Sequence, residues 1–421
     1  MGLRDKRVIG WLSGEFLSNL GDQFYIVAVT YIATMAAGAR GAALVLTVGT
    51  LPKIVLMLFG GAFVDRLGPR LLMVGSDAVR TALAAGLAVY AQFNAPSVVV
   101  LASFSLVFGL VDSVFQPATN TLPVHLVAEG QLTRLQGIRT SLTRVALIAG
   151  APAAGFAVGY GGAALAFGVD AASFAVSAVT LATLRVHITP QPRGTGVLRD
   201  TWDGLSYVAR QPLIRVTLVL FAVLEFALSG PVNVGFPVMA RAHAWGASGQ
   251  GVLMSALGVG TLAGTLAVTL LNRRLGRVGG PALTGCLVVA ACYVGLGFGT
   301  QLVGTALLVV VAGSVAGALG SIFIPVLQAS AEREYLGRVM SLMSIALQGL
   351  VAFSFAVTGV LIDGLGLAPT MTLAGGLVAL TGVVALGSRE LRRARVPGGA
   401  AEPAATGVPE ATEGPGAPRD R

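Results

Sequence analysis

Long apolar runs separated by short polar stretches are the dominant pattern along this chain. Each run is long enough to cross the hydrocarbon core of a bilayer, which takes about 20 residues of α-helix. Continuous runs of Leu, Val, Ala and Gly argue against a β-barrel, whose strands alternate in polarity. The pattern predicts an all-α membrane protein with twelve spans, at 8–36, 41–64, 71–92, 96–119, 138–160, 163–184, 213–240, 249–271, 280–300, 302–326, 339–362 and 368–387.

Composition supports a membrane environment for most of the chain. Hydrophobic residues make up 55% of the 421 residues and charged residues only 11%, whereas soluble domains are about one quarter charged. Cys286 and Cys292 fall in one apolar run, where we expect packed core residues. The run from Val8 is too long for a signal peptide and is expected to be the first membrane anchor.

The distribution of Lys and Arg predicts which ends of the spans face the cytoplasm, because positively charged loops resist translocation. With the N-terminus inside, Arg40 and Arg241 face outward and Lys53 and Arg80 lie within spans, so the other 24 of the 28 basic residues are cytoplasmic. Both termini are therefore expected in the cytoplasm. The net charge of +9 is spread over membrane-facing loops, which argues against a nucleic-acid partner.

Polar segments divide the chain into a six-span bundle (1–185), a linker (186–212), a second bundle (213–388) and a tail (389–421). In the linker, Leu198, Trp202, Leu205 and Val208 recur at helical spacing, which predicts an interfacial helix. The tail has little apolar bulk and is expected to be a disordered cytoplasmic segment. The break between the fourth and fifth spans, residues 120–137, is assigned to the cytoplasmic side together with Arg139 and Arg144. Trp11 lies near the end of its span and is expected to anchor it at the lipid interface.

An internal repeat relates the two bundles. A shift of 208 residues places residues 66–68 on 274–276, Gly109 on Gly317 and Phe115 on Phe323 without gaps. Six spans per bundle is an even number, so both bundles share one orientation. This predicts a parallel repeat about an axis along the membrane normal.

The segment between the second and third spans resembles the loop signature of the major facilitator superfamily, at Gly61, Asp65, Arg66, Gly68 and Arg70. Proline stands at position 69, where the family usually has a basic residue. The resemblance implies a latch between the bundles, with glycines for a tight turn or close approach and arginines that pair with acids or headgroups. A plain positively charged loop is the alternative, and it leaves Asp65 and the glycines without a role.

Shorter motifs resemble the drug-exporting, macrolide-efflux branch of that family: Asn19-Leu20-Gly21-Asp22, Ser76-Asp77-x-x-Arg80, Phe115-Gln116-Pro117-Ala118 and Gly337-Arg338-Val339-x-Ser341. The segment 150–155 partly resembles the antiporter signature of exporting members, although Ala151 replaces one glycine. A small-residue packing face is the alternative for that segment.

Ionisable residues within the spans are the candidate chemistry. Each costs about 2.5–3.5 kcal/mol or more in lipid, so they are expected to face the interior, to pair, or to carry protons. Six acids against two bases leave four acids without a basic partner, which can exchange protons or attract a cationic solute. They are Glu15, Asp22, Asp77, Asp112, Asp170 and Glu225, against Lys53 and Arg80.

A central cavity is implied by the resemblance, since spans one, four, seven and ten line it in the family. Glu15, Asp22, Asp112 and Glu225 fall on the first three of these spans, and depth counting favours a pair of Arg80 with Asp112 or Asp77. We therefore predict a proton and substrate cavity formed by these four acids with Lys53 and Arg80. Structural ion pairs are the alternative for some of them.

The predicted function is proton-coupled efflux of hydrophobic or cationic small molecules, such as drugs, across a bacterial inner membrane. A facilitator or proton symporter for uptake is the alternative within transport, and a membrane sensor is a remote one. No phosphate-binding loop, zinc motif or nucleophile signature is present in the sequence, so we expect neither an enzyme nor a cofactor or metal. The expected partners are the solute, the lipid bilayer and the proton, and the chain is expected to be a monomer.

Overall fold

The computed structural model describes residues 5–127, 129–183, 205–271, 279–332 and 335–393, which contain helices and no strand. A π-helical segment, Pro231–Gly235, joins α5 to α6. The helices are α1 (Lys6–Leu67), α2 (Pro69–Phe93), α3 (Val98–Leu126), α4 (Glu129–Thr183), α5 (Pro212–Gly230), α6 (Phe236–Ala242), α7 (Gly246–Leu271), α8 (Gly279–Gly297), α9 (Leu302–Ser330), α10 (Leu336–Leu365), α11 (Leu367–Gly387) and α12 (Arg389–Arg393).

Ten helical stretches in the described part of the chain are long and apolar enough to cross a membrane. The predicted interfacial helix falls largely outside that part, since Leu198 and Trp202 are not described. Residues 205–210 are helical, and Val208 is buried against Ile214, Leu327 and Val339.

The long helix α1 folds back on itself at Gly38, which has φ 64°. Tyr25 and Gly49 both contact Ser105 of α3: the Tyr25 hydroxyl lies 2.6 Å from Ser105 Oγ, and a Cβ on Gly49 would lie 3.2 Å from Ser105 Cβ. In a straight helix these two residues would be about 36 Å apart. The reversal occurs where the sequence predicts the break between the first two spans.

The long helix α4 reverses in the same way at Gly162, with φ 67°. A Cβ on Gly150 would lie 3.3 Å from Leu20 O, and a Cβ on Gly21 would lie 2.9 Å from Asp170 Oδ1. Residues 150 and 170 therefore meet the same turn of α1, which requires the chain to turn back between them. This is the break predicted between the fifth and sixth spans.

Helices α3 and α4 continue past the predicted spans 96–119 and 138–160, since only residues 127 and 128 separate the two helices. Leu122, Leu126 and Leu135 are at most 1% exposed and pack in one cluster with Val8 and Trp11. Apolar side chains at helical spacing thus extend both helices past the membrane-length runs. Trp11 is 1% exposed, so it is a core residue and not the predicted interfacial anchor.

Glycines let neighbouring helices approach closely at equivalent places in the repeat. A Cβ on Gly109 would lie 1.8 Å from Gly49 O, which brings α3 against α1. A Cβ on Gly317, 208 residues later, would lie 2.2 Å from Thr261 O, which brings α9 against α7. Small residues at such crossings are typical of helix packing in membranes.

Helices α4 and α7 pack together through the 150–155 segment. A Cβ on Gly155 would lie 2.4 Å from Ala247 O, and one on Gly251 would lie 2.4 Å from Ala151 O. Ser255 Oγ donates to Ile148 O at 2.7 Å. The segment therefore forms a small-residue packing face, which was the alternative to the antiporter signature.

Helices α1 and α10 meet near the Gly38 turn. Arg40 Nε lies 2.8 Å from Asp363 Oδ2, and a Cβ on Gly359 would lie 2.4 Å from Ala43 Cβ. The Arg40–Asp363 ion pair and the Gly155–Ala247 contact therefore lie toward the end of the molecule that carries the Gly38 and Gly162 turns.

Candidate functional site

Asp112 on α3 is held by two cations. It accepts a hydrogen bond from Arg80 Nη2 on α2 and an ion-pair contact from Lys53 Nζ on α1. Arg80 Nη1 also lies 3.8 Å from Asp77 Oδ1. The pairing of Arg80 predicted from depth counting is therefore present, and Lys53 joins it.

Aromatic rings fix the guanidinium of Arg80, which is 1% exposed. Its central carbon lies 4.2 Å from the ring centroid of Phe115 and 5.3 Å from those of Phe108 and Phe174. Such cation–π contacts contribute about 2 kcal/mol or more when water is excluded. Ser177 Oγ donates to Asp77 Oδ2 at 2.6 Å, so Asp77 and Arg80 fit the alternative of structural pairs.

Glu15 on α1 is paired with Arg139 on α4, whose Nε donates to Glu15 Oε1. Arg139 Nη1 also donates to Asn120 Oδ1 at 3.3 Å. The sequence analysis counted Arg139 among the cytoplasmic basic residues, although it falls within the predicted span 138–160, and its pairing with Glu15 was not predicted. A polar helix face was the available signal, because polar side chains recur at helical spacing at Gln136, Arg139, Thr140, Thr143 and Arg144.

A polar cavity of about 370 Å³ lies between α1, α2, α3 and α4. Ser, Thr, Asn and Gln side chains form much of its wall. Its charged lining residues are three acids and three bases, namely Glu15, Asp22, Asp112, Arg80, Arg139 and Arg144. The cavity is therefore balanced in charge, in contrast to the excess of acids expected from the sequence.

Two of these charged residues have no fixed partner. Glu15 and Asp112 are engaged by Arg139, Arg80 and Lys53, whereas Asp22 and Arg144 form no ion pair and no hydrogen bond within the described residues. The cavity thus presents one carboxylate and one guanidinium to a bound molecule.

Two further embedded acids, Asp170 and Glu225, do not line this cavity. Asp170 is fully buried, and neither of its carboxylate oxygens has a hydrogen-bond partner among the described residues. Glu225 on α5 accepts a hydrogen bond from Ser229 Oγ at 3.3 Å, and it does not line the cavity formed by α1 to α4. The structure therefore brings together four of the six predicted cavity residues, places Lys53 against Asp112 in an adjoining cavity of about 180 Å³, and leaves Glu225 apart.

The loop signature joins α1 to α2 and contacts α4. Gly68 has φ 76°, which is the tight turn expected of it. Arg70 donates from Nε to Leu181 O at 3.3 Å and from Nη2 to Ala182 O. These carbonyls end α4, where the helix dipole favours a cation, so within the described residues Arg70 binds main-chain carbonyls and forms no ion pair with an acid. The surroundings of Gly61 and the side chains of Asp65 and Arg66 lie outside the described part of the chain.

Comparison with known proteins identifies relatives of the whole chain. The family model of the Major Facilitator Superfamily matches residues 11–353. The chain is 26% identical over 393 residues to "Multidrug efflux pump Tap" of Mycolicibacterium fortuitum, covering 90% of this chain and 95% of the relative. Its similarity to the pump of the same name from Mycobacterium tuberculosis is 26% over 396 residues, covering 90% and 93%.

Solved structures share the fold at low sequence identity. A bacterial homolog of the human lysosomal transporter Spinster, in an inward-facing and unoccupied conformation, superposes with a TM-score of 0.69 at 13% identity, over 92% of this chain and 96% of that one. The D-xylose-proton symporter gives a TM-score of 0.71 at 12% identity, over 90% and 96%. The chain therefore belongs to the major facilitator superfamily, and it is a multi-pass membrane transporter of small molecules rather than an enzyme.

Proposed function

We propose that the chain crosses a bacterial inner membrane twelve times, with both termini in the cytoplasm and with bundles 1–185 and 213–388 joined by a linker. The reversals at Gly38 and Gly162 support this count, because each divides one of the ten long stretches into two apolar arms. Arg40 and Arg241 support the orientation. Arg241 Nη1 donates to Thr34 O at 2.5 Å, so both outward arginines lie near the Gly38 turn.

The chain, in this proposal, exports amphipathic small molecules in exchange for protons. The observation that carries the proposal is Asp22, which has no ion-pair partner among the described residues, whereas Glu15 and Asp112, the other two acids that line the cavity, are paired. A carboxylate with no fixed counter-ion can take up or release a proton as its access to water changes. The relatives named multidrug efflux pumps support export over uptake.

The positions of the contacts between the bundles support alternating access. Contacts such as Gly155 with Ala247 and Arg40 with Asp363 lie toward the Gly38 and Gly162 turns, whereas the cavity is lined by residues of α1 and α4 that are farther from those turns, such as Glu15 and Arg139. Rocking of the bundles about the site would open the first end and close the second. Substrate would then leave on the outer side.

The experiment is transport of a fluorescent drug analogue into everted membrane vesicles, with the internal pH followed in parallel. Proton-coupled export predicts that the dye accumulates when the vesicle interior is acid, that a protonophore abolishes accumulation, and that adding dye releases protons. Dye accumulation that is the same with and without the proton gradient would contradict antiport and indicate a facilitator. Movement of dye and protons in the same direction would indicate a symporter, and no transport in reconstituted liposomes would favour a sensor.

A further inference from the structure

Arg144 is a cation inside the cavity whose charge the protein does not neutralise. It lies in α4, lines the cavity with Asp22, and has an exposed side chain. Within the described residues it forms no ion pair and no hydrogen bond. Its neighbour Arg139, one turn earlier, is engaged by Glu15 and Asn120.

Arg144 and Asp22 line the cavity at different heights. A Cβ on Gly150 of α4 would lie 3.3 Å from Leu20 O and 3.0 Å from Gln23 Cβ, so Gly150 is level with the turn of α1 that carries Asp22. Arg144 is six residues before Gly150, which is about 9 Å along α4. A molecule that binds both side chains must therefore carry its two charges several ångströms apart.

These two unpaired charges of opposite sign have a direct consequence for the substrate. We propose that Arg144 and Asp22 form the two poles of one subsite, and that it selects zwitterionic amphiphiles, molecules that carry a carboxylate and an amine cation on one apolar body. This inference rests on the proposed export function and narrows its substrate class. A guanidinium presents a planar fork that binds a carboxylate through two parallel hydrogen bonds, and Asp22 accepts the amine.

The size of the cavity agrees with this class. A volume of about 370 Å³ falls at the lower end of the range for drug-sized ligands, about 300–1,000 Å³. Phe115 lines the cavity, which provides apolar contact for a ring system. A purely cationic solute would leave the guanidinium of Arg144 unpaired beside it.

The test compares a rhodamine that carries a free carboxylate with the methyl ester of the same dye, which is a cation of nearly the same shape. Equilibrium binding to the purified, detergent-solubilised chain is measured by fluorescence polarisation. Wild-type protein is expected to bind the acid several-fold more tightly than the ester. Arg144→Gln is expected to weaken binding of the acid roughly tenfold or more, because a charged hydrogen bond is lost, and to change binding of the ester by less than about twofold.

Two further variants complete the test. Arg134→Gln removes an exposed arginine of the same helix that does not line the cavity, and it is expected to bind both dyes as wild type does. Arg144→Lys keeps the charge without the fork and is expected to give an intermediate Kd for the acid. If Arg144→Gln does not fold, the inference is tested by the affinities of wild-type protein for acid and ester and by the Kd of Arg144→Lys for the acid.

Equal affinity of wild-type protein for acid and ester, or equal loss of both dyes in Arg144→Gln, would overturn the inference. Binding is measured without a proton gradient, so its result is independent of export. Tighter binding of the acid with no transport in vesicles would contradict the proposed export function and still support the subsite. Transport of both dyes, with equal affinity for acid and ester, would contradict the subsite and still support export.

Discussion

Arg139 on α4 donates a hydrogen bond to Glu15 on α1 and so neutralises an acid that lies in the membrane-spanning part of the first helix. The side chains are 17% and 8% exposed, respectively. This single contact joins two helices of the cavity wall. It also changes the charge balance of the cavity from acidic to neutral, which is why the substrate class inferred from the structure differs from the cationic class inferred from the sequence.

Replacing Glu15 by Gln should destabilise the protein, because Arg139 then loses its charged partner in a partly buried position. We expect a loss of about 1–3 kcal/mol, the typical cost of leaving a buried polar group unsatisfied, seen as a lower apparent Tm in detergent. The double variant Glu15→Gln with Arg139→Gln should recover part of this loss, since no unpaired charge remains. Strictly additive effects in this cycle would show that the pair is not coupled.

Gly109→Ala should impair folding, because its new methyl group would lie 1.8 Å from Gly49 O and force α3 away from α1. Overpacking of this kind costs about 1–3 kcal/mol. Gly86→Ala is the matched control, since that helical glycine of α2 has nothing within 4 Å of a built Cβ, and Ala is the better helix former. A fluorescence size-exclusion profile with a heating series would measure both, and equal profiles would contradict the close packing.

Asp22→Asn should abolish coupled transport without lowering stability, because Asp22 has no ion-pair partner to lose among the described residues. The assay is gradient-driven dye accumulation in everted vesicles. Glu225→Gln is expected to reduce transport less, since the amide oxygen can still accept from Ser229. Glu390→Gln, at an exposed position of α12, is the control. Wild-type accumulation in Asp22→Asn would remove the carboxylate mechanism.

Spin labels at positions 40 and 363 should report the opening of the end that carries the Gly38 turn. The Arg40–Asp363 contact of 2.8 Å predicts a short label separation in the resting protein. A second, longer population is expected when substrate is added, since these helices separate as the bundles rock. Double electron–electron resonance measures the distance between the two labels, in a variant that lacks the buried Cys286 and Cys292. A single distance that stays unchanged under all conditions would contradict alternating access.

Several features of the site were predictable because they depend on local spacing alone. The pair of Arg80 with Asp112 followed from counting helix rise from the polar breaks. The turn at Gly68 followed from a glycine at the end of a polar signature, and the reversals at Gly38 and Gly162 from breaks between apolar runs. Each of these follows from the position of a residue within its own apolar run or polar break, although Arg80 and Asp112 themselves are 32 positions apart.

Other features of the site were not predicted, because they depend on which helix faces pack against each other. Arg139 and Arg144 were counted among the cytoplasmic basic residues, because apolar runs do not show that Arg139 pairs with Glu15 or that both arginines line a cavity. Leu122, Leu126 and Leu135 extend both helices by packing on Trp11 and Val8, residues more than a hundred positions away. Arg70 likewise caps carbonyls of α4 that no local pattern links to it.

The sequence by itself determined the membrane environment, the apolar runs and the family resemblance, because a residue's hydropathy sets where it can lie without reference to its neighbours in space. Only the tertiary structure decided which charges neutralise one another. The free energy of a buried charge depends on a partner within a few ångströms, and packing of α1 against α4 brings Arg139 to Glu15 while it leaves Arg144 and Asp22 facing the cavity.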